Sequence, residues 1–429
     1  MPDGQSVLIT GGYATDELII TSHCEIFDFK TNRSSFTDSL PIPFRDHYLI
    51  ELNNGEYLKL GGTTGWPGHE QAERCFAYSP LTNTWREVSE MNYYHNYFGA
   101  IGFQDIDGKF KVLAVGGFCG GGRKTCEIYN PETETWEITN ELNEGRMDNT
   151  LIYFPSCQKI LTLGDDNSNT AELFDIPTRQ WTFTTPLPIS ANQYRANQGQ
   201  LIIENGQEKG LIIGGRAGNN YQIKCWIFDP ITEDWEETDS LTRGGVCQPS
   251  AKLPNGNIIV SGGYRTDTEL LTSRVTEIYN VKQGQWQRVA DMNHYRSHHN
   301  LVTLADGQVA AIGSFSGDNN EVELYSWNDS PEIQLVQGES SGLAGDTLEF
   351  IIQVNDPNED SVSMRIDWAD GDTTDWQEYD VSGAKFCFSK VFTEAGEYKI
   401  KVQTKDIWSE RGIHNSLSNW QNLLRVVIN

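Results

Sequence analysis

Arginine, histidine and ring side chains recur in this 429-residue sequence at intervals near fifty, each time just ahead of an apolar run. They are Arg45 and His47, then Tyr93, Tyr94 and His95, then Arg146, Arg195 and Arg243, and finally Arg296 and His298. Trp66 and Tyr264 sit about half a period away, each shortly after a glycine pair. A guanidinium grips a carboxylate as a bidentate fork, and a ring face covers the apolar face of a sugar. Gathered at one mouth, these residues suit a carboxylated or polyhydroxylated ligand. His294, His298, His299 and His47 invite a metal, but their irregular spacing fits solvated or arginine-paired imidazoles better. His-Glu-x-x-His and phosphate-cradling signatures are missing from the sequence, so the residues favour binding over catalysis.

A second group lies far downstream. Asp356, Glu359, Asp360 and Asp406 could supply the clustered oxygens that a structural calcium ion wants. The competing reading is a solvated acidic turn. The whole chain is acidic, with 60 carboxylate side chains against 32 lysines and arginines, a net charge of −28. That balance argues against nucleic acid and anionic membrane surfaces as partners. No run of 18 apolar residues is present, so nothing in the sequence reads as a membrane-spanning helix.

The elements that must position these groups form a repeat. Glycine pairs or their remnants occur at Gly11–Gly12, Gly61–Gly62, Gly116–Gly117, Gly164, Gly214–Gly215, Gly262–Gly263 and Gly313. Each is followed by a small residue and an aromatic, as in Cys24–Phe27, Cys126–Tyr129 and Thr276–Tyr279. From Cys24 to Val322 the equivalent positions are spaced 51, 51, 45, 54, 51 and 46 residues apart. Phe36, Trp85, Trp136, Trp181, Trp235 and Trp286 close six of the seven units. Apolar runs ending in Gly-Gly suit inner strands, where missing side chains let backbones approach. Pro and Asp/Asn before the ring set a turn between two outer strands, and the ring is expected to pack the outer strand onto the next sheet.

This punctuation resembles the kelch repeat, which implies four-stranded blades around a central channel. The expectation is an all-β fold: a seven-bladed kelch β-propeller over residues 1–328. The resemblance also implies that the loops carrying the arginines, histidines and rings emerge on one binding face. Equally, it allows the arginines to be structural, pairing with acidic or backbone groups between blades. Cys24, Cys75, Cys126 and Cys225 share one repeat position and read as fillers of a small buried slot. Cys119 and Cys126 flank one loop and could pair in an oxidising compartment.

The first unit starts at its second strand, and the seventh shows no obvious fourth strand after Tyr325. The missing pair is expected to come from an upstream segment or from a partner strand, since bare edges invite pairing. A secretory signal would have to lie in such an upstream segment. From residue 329 to 429 the period stops, and apolar and polar residues alternate between Gly/Asp turns, as in an antiparallel β-sandwich. Asp356–Asp360, Ile366–Asp372 and Gly396–Tyr398 resemble the polycystic-kidney-disease (PKD) domain, an immunoglobulin-like module, with Ala369 where that family carries glycine. This resemblance implies an extracellular or cell-surface setting.

Together the sequence points to a non-catalytic recognition protein binding a glycan or partner protein. Two alternatives stand beside it: a carbohydrate-active enzyme, and a structural subunit assembling through open β-edges. Galactose oxidase, a copper enzyme, shares the propeller and a following immunoglobulin-like domain, and the segment from Cys247 to Gly263 resembles it. Ser297, however, precedes His298 where that family needs tyrosine, so copper is not expected.

Overall fold

The computed structural model describes all residues except 14–18, 66–71, 120–122, 165–168, 189–198, 218–219, 266–270, 316–320, 327–330, 357–360 and 407–417. The chain divides into two compact units, Met1–Leu324 and Tyr325–Asn429. No helix is long and apolar enough to cross a membrane, which leaves strand-built membrane barrels unaddressed.

In the first unit, the described residues form seven antiparallel sheets in chain order, besides two short two-stranded ribbons. The first has three strands: β1 (Ser6–Thr10), β2 (Cys24–Asp28) and β3 (Arg33–Phe36). The second opens with β4 (Tyr48–Glu51) and has four strands, as do the third to sixth. The seventh has three, Asn300–Thr303, Val309–Ile312 and Glu323–Tyr325. Each full sheet follows the expected plan. In the third, Gly99–Gln104, Phe110–Val115, Cys126–Asn130 and Thr135–Ile138 pair successively.

The leading strand of each sheet lies beside the leading strand of the next, from β4 round to Asn300–Thr303. The first sheet bridges the two ends of that series. Ala305 N donates to Gly4 O at 3.1 Å on one side, and Gly12 N donates to Phe44 O at 2.7 Å on the other. Gly117 shows why the glycine pairs recur. It has φ +83°, and a Cβ there would lie 2.6 Å from Asn96 O of the neighbouring loop. A side chain would break that backbone approach.

Packing follows from the repeat, with one reversal. Cys24, Cys75, Cys126 and Cys225 are fully buried, and burial pushes the Cys75 and Cys225 thiols up to about 12. They fill the slot the sequence assigned them. Cys126 is a free thiol and forms no bridge to Cys119. The outer-strand tryptophans reach backward rather than forward. Trp85 Nε1 donates to Asp38 O at 3.1 Å, Trp136 Nε1 to Ser89 O at 3.1 Å, and Trp235 Nε1 to Thr185 O at 2.8 Å. Each acceptor belongs to the loop that leaves the preceding sheet, so the ring that closes one unit ties it to the unit before.

The second unit is a pair of sheets. Glu332–Gly338, Thr347–Asn355 and Ala384–Val391 form one, and Ser341–Gly342, Gln421–Ile428, Gly396–Asp406 and Val362–Asp367 the other. Phe350, Ile352, Val354, Met364, Ile366, Ile400, Val402 and Val426 fill the space between. Trp368 is central, with its ring 5.3 Å from Phe350. Ala369 adopts φ 61°, the left-handed region that favours glycine, so the departure noted in the sequence carries a backbone cost.

Candidate functional site

Two opposed roles emerge for the residues singled out in the sequence. Part of the set is consumed inside the fold. Arg146 is fully buried; its Nη1 donates to Thr170 O at 2.9 Å and its Nη2 to Glu172 Oε1 at 3.0 Å. Arg296 occupies the equivalent place in the seventh sheet, donating to Glu323 Oε1 at 2.9 Å, Gly313 O at 2.8 Å and Glu321 O at 2.7 Å. In the third sheet His95 fills this slot, with Nδ1 donating to Gly116 O at 2.7 Å and Nε2 3.2 Å from Glu127. Burial opposes the charge on Glu127, but hydrogen bonds from His95 and Asn92 hold its carboxyl below the usual range. Tyr93 contributes its backbone N–H to the same carboxylate at 2.9 Å. Arg146, Arg296 and His95 therefore position the loops and are not available to a ligand, which corrects their expected role.

The second sheet solves the same problem differently. Phe44 and Phe76 stand where the cation and the carboxylate would be, and Lys59 enters from the strand Tyr57–Leu60. Its ammonium lies 2.9 Å from the centre of the Phe44 ring, 5.7 Å from that of Phe76, and donates to Arg74 O at 3.1 Å. Burial drives its pKa well below 10.5. Nothing in the periodicity marked Lys59 out.

The second part of the set gathers at one mouth. Two residues beyond the buried slot the chain turns through the left-handed region, at Asp46 (φ 56°), Tyr97 (φ 52°), Asp148 (φ 51°), Cys247 (φ 54°) and His298 (φ 56°). Such conformations cost about 1–3 kcal/mol each and persist only where the surroundings enforce them. All five line a single cavity of about 550 Å³, together with Thr10, His47, Asn149 and the strands β1, β4 and Asn300–Thr303. Thr10 Oγ1 and His47 Nε2 are 2.8 Å apart. His299 is turned inward, 2.9 Å from Ser261 Oγ; burial, then the Arg296 charge, pushes it down to about 3.

Beside the cavity runs a continuous line of rings and cations. The Arg45 guanidinium lies 5.3 Å from the Tyr13 ring centre, Tyr13 is 6.4 Å from Phe315, Phe315 is 5.1 Å from His298, and His298 is 6.2 Å from Tyr264. Phe315 is 52% exposed and Tyr13 38% exposed. Arg45 also pairs with Asp46. Further round, Arg265 and Arg216 lie 5.2 and 5.5 Å from Tyr221. Arg243 and Tyr94 are half-buried. Trp66 and Arg195 fall outside the described residues. The line draws on loops of the first, second, sixth and seventh sheets, a gathering that linear spacing does not reveal. Tyr13 and Phe315 belong to the loops that follow Gly12 and Gly313.

In the second unit Asp356 and Asp406 are both buried, and Tyr379 Oη donates to Asp406 O at 3.0 Å. Glu359 and Asp360 fall outside the described residues. Among the described residues no three His, Cys, Asp or Glu side chains are grouped to hold a metal.

Residues 111–143 match the Kelch motif. This match supports a kelch-repeat β-propeller for the first unit, in agreement with the all-β arrangement of sheets among the described residues. The chain is similar to the kelch-like protein terF of Aspergillus terreus, 26% identical over 273 residues that span 58% of this chain and 56% of that protein. It is also similar to Kelch-like protein 15 of Homo sapiens, 25% identical over 63% of this chain and 39% of that protein. An F-box/kelch-repeat protein of Arabidopsis thaliana is 24% identical over 66% of this chain and 68% of its own length. The first two matches thus cover well under two thirds of those relatives. A solved structure described as a novel fungal alcohol oxidase of the AA5 family in complex with copper aligns with TM-score 0.62 and 14% identity. It covers 98% of this chain and 95% of that one, a likeness of fold alone.

Proposed function

We propose that this chain is a non-catalytic recognition protein: a seven-bladed kelch propeller followed by a PKD-like sandwich, displayed outside the cell. Its loop face binds a segment of a partner protein. The observation that carries this reading is the exposed line Arg45–Tyr13–Phe315–His298–Tyr264 beside the cavity. Rings and arginines of this kind dominate binding energy at protein interfaces, and the kelch-like relatives argue for protein interaction. The fold likeness to a copper oxidase does not extend to the site, because a buried serine, Ser297, stands where that resemblance calls for tyrosine.

Peptide and glycan arrays probed with the wild type and with Phe315→Ala and His298→Ala test the proposal. Wild-type binding to peptides, weakened at least tenfold by either change at unaltered melting temperature, is the expected result. Equal binding by both variants would remove this face, and binding confined to the glycan array would assign the mouth to sugars instead.

For the second unit we propose a structural calcium ion held by Asp356 and Asp406 with Glu359 and Asp360. The run of acidic residue types from Asp356 to Asp360, with Asp406 at the end of a strand, favours it, since calcium takes several oxygen ligands. Millimolar calcium should then raise the melting temperature of this unit relative to chelator. An identical temperature in both would end the idea.

A further inference from the structure

The second unit carries a row of rings and cations on the side of a sheet that turns away from its core. The strand Gly396–Asp406 points Ile400 and Val402 inward, so Lys399, Lys401, Gln403 and Lys405 stand on its other face. Cross-strand pairing adds Arg365, opposite Gln403, and Arg425, opposite Lys399, to that face. Five cations thus share one sheet face of a chain whose net charge is −28. Glu397 pairs with Arg425, and Asp367 lies opposite Lys401. Among the described residues Arg365 pairs with no carboxylate; its acceptor is an amide.

Two rings and that amide hold Arg365 in place. On one side the segment carrying Trp376 lies along Val362–Asp367, where Thr374 N donates to Ile366 O at 2.9 Å and Gln377 N to Met364 O at 3.0 Å. On the other, Trp420 directly precedes the strand Gln421–Ile428, which pairs with Gly396–Asp406. The guanidinium lies 4.8 Å from the Trp376 ring centre and 5.1 Å from that of Trp420. Its Nε and Nη2 both donate to Gln403 Oε1, at 3.0 and 2.7 Å, and Gln403 Nε2 is itself fixed by donating to Ser418 O at 2.9 Å. The opposite edge of the guanidinium, Nη1 with the second hydrogen of Nη2, meets no acceptor among the described residues. Lys405 extends the row, its ammonium 4.8 Å from the Trp376 ring centre and 4.9 Å from that of Tyr379. Arg365 and Trp376 are half-buried and Trp420 is 39% exposed, so the row lies at the surface.

We propose that this face binds an acidic polysaccharide, with one uronate carboxylate held end-on by the remaining edge of Arg365. A carboxylate is planar and accepts two parallel N–H bonds from such an edge. A guanidinium already clamped by rings and an amide gives up little side-chain freedom when it binds. From Lys399 to Lys405 the cations span about 20 Å of strand, at roughly 3.3 Å per residue, a length suited to a polymer with repeated charges. The exposed indole of Trp420 covers the apolar face of a sugar ring. An acidic peptide fits less well. The row lies on a sheet face rather than a strand edge, so a peptide main chain would find no ladder partner there. It also holds no aliphatic anchor and is rich in lysine, which the cores of protein interfaces avoid. This site belongs to the second unit and is independent of the loop-face reading of the first.

Calorimetry on the full chain with hexagalacturonate, and with its fully methyl-esterified form, tests the proposal. The acid should bind, more weakly as salt rises, and the ester should not. Arg365→Lys keeps the charge but loses the fork, and should weaken binding at least tenfold at an unaltered melting temperature. The double change Lys399→Gln/Lys401→Gln, at two exposed positions, should weaken it by about threefold. No binding of the acid at roughly millimolar concentration, equal binding of acid and ester, or equal binding by a folded Arg365→Lys variant would each overturn the proposal. If that variant does not fold, the double lysine variant decides, and an unchanged affinity there overturns it. Hexaglutamate bound more tightly than hexagalacturonate would assign the face to an acidic peptide and overturn the polysaccharide.

Discussion

Replacing Arg146 with methionine is expected to cost the first unit about 3–5 kcal/mol, the penalty for stranding one member of a buried ion pair. Glu172 makes the reason concrete. Its carboxylate is buried and accepts from Arg146 Nη2 at 3.0 Å, from the Asn143 backbone at 2.7 Å, from Asn143 Nδ2 at 2.9 Å and from the Glu144 backbone at 3.1 Å. Without the guanidinium those neutral donors must carry a full negative charge away from water. Thr170 loses two partners at the same moment, since its carbonyl and hydroxyl both accept from Arg146. Glu172→Gln should be similarly damaging, while the double change Arg146→Met/Glu172→Leu should recover most of the loss. Denaturant unfolding of the three variants checks this. A single variant within about 1 kcal/mol of the wild type would show that the pair does not tie the loop to its sheet.

The second large effect has the opposite sign. Lys59→Met should stabilise the protein at neutral pH, by about 1–4 kcal/mol on the scale seen when buried charges give way to apolar side chains. Lys59 is fully buried between Phe44 and Phe76, and among the described residues its single hydrogen-bond acceptor is the Arg74 carbonyl. Its folded-state pKa lies well below the 10.5 of the unfolded chain. Between those two values the unfolded chain holds a proton that the folded chain does not, so the Lys59 contribution to stability rises with pH and is complete above 10.5, while the Cys75 and Cys225 thiols, raised from 9.0 to about 12, add the opposite slope above 9.0. As pH falls from there, the Lys59 contribution declines until Lys59 itself is charged in the folded state. Unfolding curves on the neutral side of 9.0, before the buried thiols titrate in the unfolded chain, should show wild-type stability rising with pH relative to Lys59→Met. A destabilised methionine variant would mean that the ring contacts and the carbonyl bond outweigh desolvation.

The two predictions concern one slot in two versions. Where the repeat places Arg146 and Glu172, a buried pair ties the loop to its sheet. Where it places Phe44 and Phe76, a cation arrives from another strand. The repeat makes the slot legible, but which way its occupant points depends on neighbours some 25 residues away. That is why the arginines looked like one set when read along the chain. Arg146 and Arg296 are buried and spent on carboxylates, whereas Arg45 is shifted by one residue and lies over Tyr13. The reversed reach of Trp85, Trp136 and Trp235 has the same origin, because a period says that units touch but not in which direction a ring leans.

What the sequence by itself determined is the periodic part: an all-β chain, glycine pairs where backbones nearly touch, cysteines in a buried slot, and a change of pattern near residue 329. Those features are local, repeated and written in residue type, so hydrophobic period and turn chemistry expose them. Tertiary structure alone decided which polar groups remain for a ligand. The left-handed turns at Asp46, Tyr97, Asp148, Cys247 and His298 are enforced by contacts between sheets rather than by residue type. The joining of Tyr13 to Phe315, about 300 residues apart in sequence, needs the first sheet to meet the seventh. Burial and proximity across such separations are properties of the packed chain, and no spacing rule contains them.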